Sequence, residues 1–534
     1  MKRITDTSFD VVVLGSGLAG TFTASILARQ GHRVLILDQG VHPRFAIGES
    51  TIPQTSIFIE MMSRKFDVPE LSYLGNKSPM GIRDHVAPTS GVKRTVAFAF
   101  HELDAEHDPR HAHHFGNVWR TENHIFRQDV DAWLVTVALK YGCSIQQGVR
   151  VKHLDFDADG ADIYLDDERS YRARFVVDAT GFRSVLADKF GLRETPTRLE
   201  HHSRSMFTHV MGLKELEDVS ESFMSNRFAE GTTHHVFKRG WFWLIPFNNW
   251  EASPNPLASV GLTLDERVYP QDPDLSAEEE FVSFLDRVPT VKAMFQDAVV
   301  VRPWIRSGRI QYSSSSCTGD RWAMLSHAAG FVDPLYSRGI ISTVESIDIL
   351  CEVLLEALDD DRFERERFSC VDEHDRRVLS FADRVVRASY ISWDDFSLWN
   401  LWVRIWAAGT HVIESNLASV LLMGAHSKVK RVEDHVVSEV EDSDFRRVFE
   451  AGYSVLDRYD RGDLPLEKAR EELEALLASY TFRIPLLDNC QGQEWAMMNP
   501  DVRDLFLGDK AVHERWVKKG IDPYLCMEQE GAES

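Results

Sequence analysis

The sequence predicts an α/β protein: a doubly wound dinucleotide-binding domain, a β-rich cover and a helical C-terminal region. Three observations predict it. A glycine-rich turn, Gly15-Ser16-Gly17-Leu18-Ala19-Gly20, stands between a strand-like apolar run and an apolar-striped helix near the start of the chain. Segments rich in β-forming residues follow between about 200 and 265. Beyond about Ile341 the apolar spacing becomes that of helices.

Taken in order, Phe9 to Leu14 read as a buried parallel strand. The next helix carries Ala19, Phe22, Ile26 and Leu27 on one side and stops at Gly31. Val34 to Leu37 form a second strand that ends on Asp38, which completes a βαβ unit. The glycines have separate tasks. Gly15 permits the tight turn, Gly17 lets backbone approach a pyrophosphate, and Gly20 packs helix on strand. The helix N-terminus then offers unpaired amides to the phosphates, and Asp38 stands where a carboxylate accepts ribose hydroxyls. Phe175 to Gly181 resemble a later strand of the same sheet. Ser205 to Met211 and Trp241 to Pro246 are strands of a second sheet, and Glu467 to Leu477 form an amphipathic helix. The expected boundaries are 1–190 and 296–365 for the two parts of the dinucleotide domain, 191–295 for the β-rich cover and 366–534 for the helical region.

At 534 residues the chain is too long for one domain, and its net charge of -23 repels phosphate backbones, which argues against nucleic acid as a partner. The six cysteines contain no CxxC pair and read as reduced thiols of a cytoplasmic protein. The apolar run near the start belongs to the strand–turn–helix motif rather than to a signal peptide, and no apolar stretch is long enough for a membrane span. Histidines 101, 107, 111, 113 and 114 lack ligand spacing and read as solvated, so no metal site is expected.

Two motifs go further. Trp241-Phe242-Trp243-Leu244-Ile245-Pro246 matches WxWxIP, and Phe331-Val332-Asp333-Pro334-Leu335-Tyr336-Ser337-Arg338-Gly339 matches FxxPxxSxG. Two tryptophans at period 2 ordinarily fill a core face. Both motifs in this order behind a GxGxxG resemble the flavin-dependent halogenases, most closely those that act on free phenols such as phloroglucinol. Phe126-Arg127-Gln128-Asp129 and Asp178-Ala179-Thr180-Gly181 fit the same resemblance.

The resemblance implies an FAD domain like that of the aromatic hydroxylases. It implies FAD used as FADH2 from a separate reductase, since no second GxGxxG is present to hold a nicotinamide. Reduced flavin, O2 and chloride or bromide then yield hypohalous acid, which halogenates a small phenolic ring. Gly15, Gly17, Gly20, Asp38, Arg127 and Asp333 are the implied flavin-side residues. Ser337, Arg338 and Gly339 would surround the halide, and Trp241, Trp243 and Pro246 would separate flavin from substrate. The guiding lysine of the family corresponds to Lys93, ahead of Val96 to Phe100, with Lys77 as the competing candidate. It would hydrogen-bond the acid or form a chloramine, and the latter needs a neutral amine, which burial favours. Among Tyr390, Trp393, Phe396, Trp399, Trp402 and Trp406, spaced as on one helical face, most would pack on the core and one or two would line a phenol pocket.

There are two departures from the family pattern. Many members carry GDAAG before the halide motif, where the Asp holds the flavin ribityl chain; here it is Ser326-His327-Ala328-Ala329-Gly330. Thr95 stands where a smaller residue is usual. Three other readings stay open: a halogenase of a carrier-tethered pyrrolyl or tyrosyl group, a flavin hydroxylase, and a non-catalytic flavin binder. The last does not require Lys93 or the paired tryptophans.

Overall fold

The computed structural model describes residues 7–75, 81–116, 121–222, 226–422, 443–480 and 494–495, and the chain divides into two compact units. Lys77 lies outside the described residues, as do Cys490 and Cys526.

The first unit comprises Met1–Thr89, Ile125–His201 and Gln311–Asp383. Ser8–Leu14 pairs in parallel with Val34–Asp38 on one side and with Ser170–Asp178 on the other. Ser144–Gln147 extends the sheet beyond Val34–Asp38, and Trp322–Met324 extends it beyond Ser170–Asp178. Val11, Val12, Val13, Leu35, Ile36, Val176 and Val177 are fully buried, which is why these strands read as unbroken apolar runs rather than as alternation. The helix Leu18–Arg29 packs against Arg127–Lys140 and Arg338–Asp360.

The second unit comprises Ser90–His124, His202–Ile310 and Arg384–Ser534. Its large sheet runs Ser203–Met211, Leu257–Asp265, Gly240–Pro246, Gly231–Phe237, Thr95–His101, Ala112–Gly116. Among these six strands all neighbours are antiparallel except Thr95–His101 and Gly231–Phe237, which are parallel. This parallel pairing is long-range, and it sets residues 90–124 in the second unit although the sequence reading counts them with the dinucleotide domain. The helices Phe396–Leu422, Ser443–Asp460 and Leu466–Ser479 belong to this unit, whereas Ser369–Ser392 straddles the division.

Two expectations need correction. The histidines at 101, 107, 113 and 114 are buried rather than solvated; only His111 is partly exposed. His101, His113 and His114 lie on the paired strands Thr95–His101 and Ala112–Gly116, and charged neighbours in the sequence disguise that. His101 Nε2 meets His235 Nδ1 at 2.9 Å, and His107 donates to the Phe100 carbonyl at 3.0 Å. Nor do the C-terminal aromatics share one helix: a break at 393–395 separates Ser369–Ser392 from Phe396–Leu422, and the Asp395 carboxylate accepts from the Ser397 amide at 2.8 Å to start the second.

Candidate active site

In the first unit the glycine turn has the geometry a dinucleotide requires. Gly15 sits at φ +97, and a Cβ there would lie 2.6 Å from the Ala179 carbonyl. A Cβ on Gly20 would fall 2.0 Å from the Gly15 carbonyl, so helix and strand meet with no room for a side chain. At Gly17 a Cβ would meet only Asp131 Oδ2 at 3.8 Å and Arg44 at 4.0 Å. The turn is thus open where a ligand's phosphates would approach, and no side chain caps the helix Leu18–Arg29 behind it. These residues fit FAD.

Asp38 ends its strand buried. Its Oδ2 accepts from the Ser16 amide and hydroxyl, both at 2.7 Å, and from Arg44 at 3.0 Å, while Oδ1 accepts from Gly40 N at 2.7 Å. It therefore holds the glycine turn in shape, with lone-pair capacity left on Oδ1. Arg127 is turned onto its own scaffold: it forks onto Asp131 at 2.8 and 2.9 Å and donates to the Ile47 carbonyl at 2.6 Å. Asp333 accepts from Leu335 N at 3.0 Å and meets His201 Nε2 at 3.2 Å, which fixes the turn of the FxxPxxSxG segment.

That turn is strained. Tyr336 (φ 68, ψ 8) and Ser337 (φ 55, ψ 30) are both left-handed, and Arg338 returns to the right-handed region. Left-handed residues without glycine cost on the order of 1 kcal/mol or more each, and such strain gathers at functional sites. A left-to-right alternation turns successive amides toward one side, as in an anion-binding nest. The Ser337 amide is used by the Pro334 carbonyl at 3.1 Å; those of Arg338 and Gly339 open the helix Arg338–Asp360, which no side chain caps. A Cβ on Gly339 would lie 3.1 Å from Cε1 and Nε2 of His327. The His327 imidazole therefore borders the FxxPxxSxG turn. Burial, then the charge of Arg127, pushes it down to about 4, so it is neutral at pH 7.

In the second unit Lys93 is 0 % exposed, on the short strand Gly91–Lys93. The WxWxIP strand helps to hold that strand. A Cβ on Gly91 would meet the Pro246 carbonyl at 2.6 Å, and His124, on the partner strand, donates to the same carbonyl at 2.7 Å. Asn249 completes the anchor, donating to Val92 O at 2.6 Å and accepting from Val92 N at 2.9 Å. Trp241 and Trp243 are buried. The Trp241 indole donates to the Tyr390 hydroxyl at 2.8 Å and stacks on His234, and the Trp243 ring lies over Gly261. Tyr390, Trp393, Trp399 and Trp402 are fully buried core residues, which leaves Phe396 and Trp406 as the partly exposed rings of that set.

Sequence reasoning missed two residues. Glu122 is the cross-strand partner of Lys93 and is 0 % exposed, and Glu414, on the helix Phe396–Leu422, is 4 % exposed and interacts electrostatically with both. Burial pushes the Lys93 ammonium down to about 7, against the pull of the two carboxylates. Burial, and then Glu122, pushes the Glu414 carboxyl up to about 8.

A family model described as tryptophan halogenase matches residues 10–77 and 112–384. The chain is 40% identical over 499 residues to the tetracycline 7-halogenase of Kitasatospora aureofaciens, covering 90% of this chain and 89% of that one. It is 38% identical over 493 residues to the monodechloroaminopyrrolnitrin halogenase PrnC of Pseudomonas fluorescens, covering 90% and 86%. Among solved structures it is similar to halogenase PltM in complex with phloroglucinol and FAD, with a TM-score of 0.84 and 33% identity over 88% of this chain and 96% of that one.

Proposed function

The chain belongs to the tryptophan halogenase family of flavin-dependent halogenases, and on that premise we propose that it halogenates a free, small phenolic ring, with Lys93 as the residue that presents the electrophile. FAD, when bound in reduced form with O2, supplies the oxidising power that turns halide into hypohalous acid. The ring then displaces water from that acid: a C–X bond forms, the O–X bond breaks, and the ring proton and the acid's OH leave as water. Lys93 aids this step by donating a proton toward the departing oxygen, or as a neutral amine that carries the halogen.

The observation that carries the reading is Lys93 itself, an amine with no exposed surface on a strand pinned to the WxWxIP segment. A lysine is almost never fully buried unless it is paired, and holding one here takes two buried carboxyl groups. The free phenol is supported by PltM, whose solved complex contains phloroglucinol. The separate reductase is supported by the single glycine fingerprint in the sequence. The test combines the protein with a flavin reductase, FAD, NADH, chloride or bromide and a panel of phenols, read by mass spectrometry. Mass increments of one or more halogens on a free phenol are expected. Hydroxylated products, or halogenation of carrier-tethered rings alone, would overturn the substrate assignment. Rapid NADH oxidation without the reductase would overturn the reductase requirement.

A further inference from the structure

Two buried carboxyl groups and one buried amine interact in the second unit. Lys93 and Glu122 are directly opposed on the antiparallel strands Gly91–Lys93 and Glu122–His124, an arrangement that puts both side chains on one face with Cβ atoms roughly 5 Å apart. Both have no exposed surface. Glu414 reaches the pair electrostatically from the helix Phe396–Leu422, and His234 is the further titratable group that Lys93 influences. One ammonium can neutralise one carboxylate. Uncompensated buried charge costs several kcal/mol, about what it takes to protonate a carboxyl at neutral pH. One carboxyl of the two must therefore carry a proton, and the opposed residue is the better placed to be the ion.

We propose that Glu122 is the positioning residue of Lys93, the counter-ion that sets its charge and aims it, and that Glu414 is the neutral, proton-carrying third member. The proposal rests on the relay reading of Lys93 given above. Burial pushes Glu414 up to about 8, in keeping with its neutral role. Depressed as it is, the His234 imidazole is also neutral at pH 7, so it adds no charge to the group. The three together are then uncharged overall, and a proton can pass between Lys93 and Glu122 without creating net charge in the interior.

The test uses the full chain labelled with 13C at the lysine ε-carbon. The Lys93 resonance is assigned by its absence in Lys93→Arg, and its titration is followed by NMR in the native protein and in Glu122→Gln, Glu122→Asp and Glu414→Gln. Halogenated phenol per FADH2 consumed is measured over the same pH range. In Glu122→Gln the Lys93 titration and the matching limb of the coupling profile should both move to lower pH by roughly one to three units, the range typical of a lost opposite charge. Glu122→Asp should restore most of the shift. Glu414→Gln, which replaces one neutral group by another, should move the titration by less than half as much. An unmoved Lys93 resonance in folded Glu122→Gln, or an equal shift in Glu414→Gln, would overturn the assignment. If Lys93→Arg keeps native coupling, the relay reading fails separately, whatever the titration shows.

Discussion

Acid should unfold this protein early, because so many of its histidines are held neutral. His107 and His113 are pushed down to about 4 and His234 and His235 to about 3, in each case first by burial. Their folded values lie below the unfolded value near 6.5. The stability they allow is therefore fully present above pH 6.5 and is lost as pH falls from 6.5 toward 4 and 3, where the unfolded chain takes up protons that the folded one refuses. At pH 5 the loss is about 2 kcal/mol for each and about 8 kcal/mol for the four, comparable to the whole stability of a typical domain at about 5–15 kcal/mol. With an unfolding entropy of about 2 cal/mol/K per residue, that loss lowers Tm by about 7 °C in a cooperative transition of the whole chain. The assay is calorimetry from pH 8 to 5 in buffers of differing ionisation enthalpy, which also counts the protons taken up. His234→Phe, which keeps a ring between Phe98 and Trp241, should remove about one proton from that count. A Tm that is flat from pH 7 to 5, or an uptake of less than one proton, would refute the reasoning.

Three further outcomes are expected. Lys93→Ala should still consume FADH2 but lose halogenated phenol by about 100- to 10,000-fold, as for a removed acid or relay group, while Lys77→Ala keeps coupling; product per FADH2 reads both. The native protein should purify largely colourless because His327 stands where the family resemblance implies a flavin-holding carboxylate, and His327→Asp should retain more FAD after dialysis, read by absorbance. Yellow, near-stoichiometric native protein after dialysis would refute this. Gly20→Ala sets a Cβ 2.0 Å from the Gly15 carbonyl, which only a shift of the glycine turn can relieve, so FAD affinity by flavin fluorescence should fall about tenfold or more at unchanged fluorescence of the free flavin.

Much of the fold was legible because its signals are local. The run Phe9 to Leu14, the glycine turn and Val34 to Asp38 specify their elements within one βαβ unit, and the structure extends the strands by no more than a residue at their ends. The helix expected over Glu467 to Leu477 is found as Leu466–Ser479. The errors arise where pairing is long-range. Residues 95–101 lie beside 231–237 in parallel, and no pattern inside either segment announces a partner more than a hundred positions away. The same pairing buries His101 and His235 together, so a histidine-rich stretch that reads as a polar loop is interior sheet.

The site divides along the same line. The glycines, the FxxPxxSxG turn and Lys93 could be nominated from the sequence as candidates because each belongs to a contiguous stretch. What sets the charge of Lys93 could not, since burial lowers its ammonium while Glu122, brought opposite by a two-stranded pairing, and Glu414, on a helix some three hundred positions further on, pull the other way. A motif supplies the reactive group, whereas its charge is set by residues that carry no motif. Two halogenases could therefore share WxWxIP, FxxPxxSxG and the lysine and still differ in the pH at which that lysine works. A variant series at Glu122 and Glu414 isolates that variable while every motif residue stays in place.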